Sequence, residues 1–150
     1  MSYPTSGNIN NQLHRENDQP AVEQTDGTKK WYVRGQLHRD HDRPAIEYAD
    51  GKKEWYRHGH LYRDDDKHVI ESANGKDREW RNTDGELHRE HDLPAIETDG
   101  ICYWYWKGKL HRDGGKPAMI MPNGMEFWYE HGERKFPWPK KRKLESEDTI

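Results

Sequence analysis

Residues 31–54 read WYVRGQLHRDHDRPAIEYADGKKE, and residue 55 starts the pattern again as WYRHGHLYRDDDKHVIESANGKDRE. Tryptophan returns at Trp31, Trp55, Trp80, Trp104 and Trp128, at intervals of 24, 25, 24 and 24 residues, which marks a repeat array. The other columns keep step with it. Leu13, Leu37, Leu61, Leu87 and Leu110 are each followed by His or Tyr and then by Arg15, Arg39, Arg63, Arg89 and Arg112. Pro20, Pro44, Pro94 and Pro117 open short runs such as Pro44-Ala45-Ile46-Glu47, with His68 standing at that place in the third copy. Each copy closes on a reversal dipeptide: Asp26-Gly27, Asp50-Gly51, Asn74-Gly75, Asp99-Gly100 and Asn123-Gly124.

A period this short holds two strands and two reversals but no helix of useful length, so the chain reads as all-β. The first reversal uses Gly35, Gly59, Gly85, Gly108 and Gly132, with Asn11 in the leading copy, as a left-handed turn position requires. The third copy carries extra residues on both sides of Trp80 and the fourth lacks one before Gly100, all close to turns. Hairpins too short to bury a core alone must stack. The expectation is an elongated antiparallel sheet of about five hairpin repeats and about ten strands, with Trp packed on Trp, Leu on Leu and Ile on Ile. At two strands per unit it spans on the order of 48 Å. Residues 1–10 form a flexible lead-in, 11–136 the repeat domain and 137–150 a charged tail. The segment Gly132-Glu133-Arg134-Lys135-Phe136 is a degenerate closing copy, and Pro137 and Pro139 then stop strand pairing.

Composition agrees with a thin fold. Of 150 residues, 35% are charged and 30% hydrophobic, the mean hydropathy is -1.45, and Leu, Ile, Val and Phe together supply only 19. A thick aliphatic core is excluded, whereas seven Trp and eight Tyr supply large buriable surfaces. The formal charge of -3 is spread along the chain and indicates neither a nucleic-acid mimic nor a broadly basic binder. Cys102 is the sole cysteine, which removes any intramolecular disulfide or multi-cysteine zinc site. Residues 1–10 lack a signal peptide's apolar run, and no stretch approaches the length of a membrane-spanning helix. These features place the protein in the cytoplasm.

The unit W-Y-x-x-G-x-L-H resembles the MORN repeat over about residues 11–136. It is most similar to the MORN-like variant W-Y-x-x-G-x-L-H-R-x-x-x-x-P-A, common in giant-virus and phage proteins. The chain departs from standard MORN units where Arg39, Arg89 and Arg112 follow His in place of Gly, and where Pro-Ala replaces another Gly. The resemblance implies a hairpin array used as a scaffold or binding surface without catalytic apparatus, and a viral or phage origin.

The repeated His-Arg-acid trios are the candidate chemistry: Arg15, His38, Arg39, Arg63, His88, Arg89, His111 and Arg112. Strand alternation places Leu and Arg on one face. In a structural role, Arg stacks over Trp as a cation-π partner and pairs with carboxylates such as Asp42 or Glu47. In a binding role, the Arg and His columns form a groove for phosphate, with aromatics offering stacking surfaces, although interleaved carboxylates repel a polyanion. His38-x-x-His41-Asp42 and His88-x-x-His91-Asp92 have metal-like residue types, but Asn17, Asp65 and Gly114 break the pattern, so neither metal nor cofactor is expected. No singular nucleophile-base constellation points to an enzyme. Lys140, Lys141, Arg142 and Lys143 resemble a nuclear-import cluster, but the acidic residues that follow cancel most of its charge and favour a solubilising tail; the alternative is an import signal if the host is eukaryotic. Asp148-Thr149-Ile150 is a weaker candidate for a strand-addition ligand. The expectation is a non-enzymatic scaffold that binds a host or viral protein through its long sheet face. The alternative is a binder of phosphate-bearing ligands: nucleic acid, nucleotide or anionic lipid headgroup. A homodimer is left open.

Overall fold

A computed structural model of the chain describes residues 12–136 together with Asn8 and Ile9. Among the described residues there are nineteen short strands and no helix. Eleven strands form one antiparallel sheet in chain order. They run from Val22–Glu23 and Lys29–Lys30 through Ile46–Glu47, Lys53–Glu54, Ile70–Glu71, Arg78–Glu79, Ile96–Thr98, Ile101–Tyr103 and Met119–Ile120 to Glu126–Glu130 and Glu133–Lys135. Beside it run small hairpins such as Tyr32–Val33 with Gln36–Leu37 and Tyr105–Trp106 with Lys109–Leu110. The first hairpin pairs Asn8–Ile9 with Gln12–Leu13. It takes in two residues that the sequence reading assigns to the lead-in, because the Leu13 strand needs a partner like every other.

Tryptophan ties hairpin to sheet. Trp31 N–H donates to Ala45 O at 2.9 Å, further along the same unit, while its carbonyl accepts His38 N–H at 3.1 Å from its own hairpin. Trp55, Trp80 and Trp104 repeat both bonds. The turns follow from residue type. Arg34-Gly35, His58-Gly59, Lys107-Gly108 and His131-Gly132 all have positive φ at both positions, the two-residue hairpin turn whose twist suits the strands. The residue missing from the fourth copy is absorbed by the same device, since Asp99 and Gly100 both take positive φ and Thr98 pairs directly with Ile101.

Side-chain alternation gives the sheet two unlike faces. Lys30, Ile46 and Glu54 pair across the strands and share a face with Tyr32 and Leu37. Trp31, Ala45 and Glu47 point the other way. This tryptophan face holds most of the core: Ala21, Ala45, Val69, Ala95 and Ala118 are fully buried, and Trp31, Trp55, Trp80 and Trp104 are buried beside them, while Ile46 is buried on the opposite face. Trp128 is half-buried.

Two expectations are corrected here. Leu and Arg do not share a face: the strand ends after Leu37, and the loop carrying Arg39 folds back over Trp31, opposite Leu37. Nor does Trp pack on Trp among the described residues. Successive copies lie two strands apart, roughly 10 Å, beyond ring contact. Instead the His68 ring meets Trp55 and Trp80 edge-on, at 5.4 and 5.8 Å.

The closing copy ends the array as its degenerate sequence implies. In the fifth copy Gly115 stands where earlier copies carry an Asp, and in the closing copy Lys135 replaces His and Phe136 replaces Arg. None of the three can make the side-chain bonds that join one unit to the next.

Trp80 is buried although its neighbour is Arg81 rather than Tyr. Trp80→Ala is therefore expected to cost about 3 to 5 kcal/mol in chemical unfolding. A loss below about 1 kcal/mol would show that the array does not depend on this column.

Candidate functional site

Arg39, Arg63, Arg89 and Arg112 each make several bonds in the described residues. Arg39 lies 3.7 Å above the Trp31 ring and donates to Pro44 O, to Glu47 and, through two nitrogens at 2.7 and 3.0 Å, to Asp18 of the preceding unit. Arg63 stacks over Trp55 and donates to His68 O and to Asp42, and Arg112 stacks over Trp104 and donates to Pro117 O and to Asp92. Arg89 covers Trp80 and reaches Asp66 through Nε alone, at 3.2 Å. Arg15, in the first unit, bonds Pro20 O. Each Asp is also the second of two consecutive left-handed residues, such as His41-Asp42, and its carbonyl accepts the next Trp Nε1–H, as in Trp55 to Asp42 at 3.1 Å. One loop thus binds the following tryptophan by its backbone and the following arginine by its side chain. The bonded guanidiniums hold the Asp18, Asp42 and Asp92 carboxyls down at about 2.

The His column seals hairpin to hairpin. His38 Nδ1 accepts His58 N–H, which places the ring proton on Nε2, and Nε2 donates to Asp40 at 3.0 Å. His88 with Lys107 and Glu90, and His111 with His131 and Asp113, repeat the pattern. A second bond runs alongside, from the turn Gly N–H to the preceding Leu carbonyl: Gly35 to Leu13, Gly59 to Leu37, Gly108 to Leu87 and Gly132 to Leu110.

One junction breaks the pattern. Between the third and fourth units Tyr62 replaces His, the lengthened turn uses Gly85 N–H for its own Asn82 carbonyl, and the hairpin shrinks to one bridge, Arg81 to Leu87. Leu93 also stands where Arg43, Lys67 and Lys116 give the other Asp residues a second cation. The unsealed junction forms an open groove of about 510 Å³ bordered by Tyr62, Trp80, Arg81, His88 and Trp106, against about 230 Å³ at the flanking junctions.

The opposite, tyrosine-bearing face changes character along its length. Its rungs in register are Val22, Lys30, Ile46, Glu54, Ile70, Glu79, Ile96, Tyr103, Met119 and Phe127. Charge alternates with apolar groups up to Glu79, and from Ile96 onward the strip is apolar. At the adjoining turn edge Tyr48 and Lys52, stacked on each other in the second unit, give way to Met121 and Met125 in the fifth. The tryptophan face shifts in parallel: Glu23, Lys29, Glu47, Lys53, Glu71, Arg78 and Glu97 alternate in sign before Cys102 and Ile120 take their places. All four exposed large apolar side chains among the described residues, Leu93, Trp106, Met125 and Phe136, lie in this same half.

The structure thus brings Arg39, Arg63, Arg89 and Arg112 each onto its Trp, leaves Arg15 on the Pro20 carbonyl, and bonds His38, His88 and His111 between hairpins. Lys140, Lys141, Arg142 and Lys143 lie outside the described residues. Met119, Met121, Met125, Tyr103 and Phe127 were not singled out by sequence reasoning, although the clustering of methionine in one copy and the strand register together could have found them. His41 and His91 are exposed, and their neighbours Asp42 and Asp92 are taken by arginine. Among the described residues no helix is long and apolar enough to cross a membrane. Comparison with protein-family models, curated proteins and solved structures finds no match.

Carboxyls lowered by folding lend stability above their ordinary value of 3.8 and lose it as pH falls towards about 2. Unfolding midpoints should therefore hold steady above pH 4 and drop between about pH 4 and pH 2. Asp42→Asn should lower the neutral-pH midpoint and flatten that drop. An unchanged acid profile in Asp42→Asn would contradict the Arg-Asp relay.

Proposed function

We propose that the chain is an array of MORN-like repeats serving as a non-enzymatic scaffold that binds a protein partner, host or viral, through the long face of its sheet. One observation carries this reading: the uninterrupted strip Ile96, Tyr103, Met119 and Phe127, flanked by Met121 and Met125. Contiguous apolar surface on an otherwise highly charged chain marks an interaction site, and methionine adapts its shape to what it meets. The phosphate-binding alternative has less support. The guanidiniums it needs are already stacked on tryptophan and bonded to carboxylates, which leaves little positive field for a polyanion. The cluster Lys140 to Lys143 is proposed as an import signal if the host is eukaryotic, and its fusion to a fluorescent cytoplasmic protein should then carry that protein into the nucleus.

Three of the four methionines belong to this face, so photoreactive methionine labels it almost selectively. Crosslinks from Met119, Met121 or Met125 to a protein should form in host lysate, persist at high salt and disappear in a folded Phe127→Glu variant. Saturable sub-micromolar binding of RNA, DNA or a nucleotide, lost in a folded Arg39→Ala, Arg89→Ala variant, would overturn the reading in favour of phosphate recognition.

A further inference from the structure

We infer that the groove at the third junction takes an extended segment of another protein that carries a lysine. The inference goes beyond the reading above, because the carboxylate it uses lies on the tryptophan side of the array and not on the strip from Ile96 to Phe127. Its ground is a shortage of hydrogen-bond donors that the other junctions do not share. Asp18, Asp42 and Asp92 each accept two nitrogens of a guanidinium and then a second cation, from Arg43, Lys67 and Lys116 respectively. Asp66 accepts only Arg89 Nε, split between its two oxygens at 3.2 Å, and Leu93 stands where the second cation belongs. The backbone is short of a donor at the same junction. The Leu13, Leu37, Leu87 and Leu110 carbonyls each accept the next turn's Gly N–H, whereas Gly85 N–H turns back to Asn82 O and leaves the Leu61 carbonyl without that bond.

Two vacated acceptors select the chemistry of the occupant. An ammonium completes the Asp66 carboxylate as Lys67 and Lys116 complete Asp42 and Asp92, and a peptide N–H completes the Leu61 carbonyl. A phosphate brings only acceptors and the wrong charge to both positions. The surroundings suit the rest of a lysine-bearing chain. Leu93 is 39% exposed and Trp106 38%, and apolar surface of this kind covers a lysine stem while its head stays at the carboxylate. The groove, at about 510 Å³, is more than twice the size of its neighbours and runs from Tyr62 in the third unit to Trp106 in the fifth, as an extended segment requires. Its polar contacts are few and exposed, so a short peptide is expected to bind with a dissociation constant on the order of 1 mM.

The probe is the peptide acetyl-Ala-Val-Lys-Val-Ala amide, titrated into the ¹⁵N-labelled full chain with the Trp106 Nε1–H resonance as reporter. Saturable shifts are expected at low salt. The same peptide with glutamine in place of lysine should bind at least about fivefold more weakly, and so should the lysine peptide to Asp66→Asn. Leu93→Lys is the sharper variant. It restores the lysine that Lys67 and Lys116 supply in other copies, so it should fold normally and block the peptide from within. A wild type without saturable shifts overturns the proposal, as does undiminished binding to Leu93→Lys or equal binding of the glutamine peptide. Butylamine binding as tightly as the peptide would reduce the groove to an ammonium site and remove the protein segment. Binding that emerges only after Lys140, Lys141, Arg142 and Lys143 are changed to Ser would make the chain's own tail the occupant instead. Crosslinking through Met119, Met121 and Met125 should be indifferent to Leu93→Lys, so this site and the apolar strip fail separately.

Discussion

The arginine that covers its own tryptophan while gripping the aspartate of the preceding unit is the interaction on which the structure depends. A sheet of two-residue strands has little ladder to hold it, and the fully buried residues are four alanines and a valine rather than a layer of large aliphatics. Something must replace the missing core. Arg39 does so by lying on Trp31, satisfying the Pro44 carbonyl and bonding Asp18 and Glu47 with one planar group. The fork geometry matters, because a lysine cannot stack and bond in several directions at once. Since Asp18 belongs to the previous loop, each unit is stabilised by its neighbour.

Concentrating the charged and aromatic columns on one face has a consequence for the other. The tyrosine-bearing face carries none of the Arg-Trp-Asp contacts, although Ile46 and Glu54 are buried on it, and its composition varies along the array. Charged groups interrupt the first three units, and Tyr103, Met119 and Phe127 replace them in the last two. The unsealed third junction, with Tyr62 and Leu93 in place of His and a cation, divides the two regions.

The repeat frame, the all-β class and the role of arginine over tryptophan were legible in the sequence, because the period repeats every residue that carries them. The pairing of Arg with Asp42 and Glu47 followed from charge recurrence alone. What could not be read was where strands stop. Alternation run through Leu37-His38-Arg39 puts Leu and Arg together, but the chain leaves the strand there and the loop inverts the relation. The same dependence on register hid the methionine strip. Met121 and Met125 flank a three-residue turn, and only the bond from Met121 N–H to Met125 O fixes them beside each other.

The central claim is that the repeated arginine is architectural. Urea unfolding of Arg63→Lys and Arg63→Ala tests it most directly, because lysine keeps the charge and loses the fork. Losses of about 1 kcal/mol or more for Lys and about 2 kcal/mol or more for Ala are predicted, with Ala the larger. Midpoints equal to wild type in both variants would contradict the account and return the Arg column to the surface as a site for ligands.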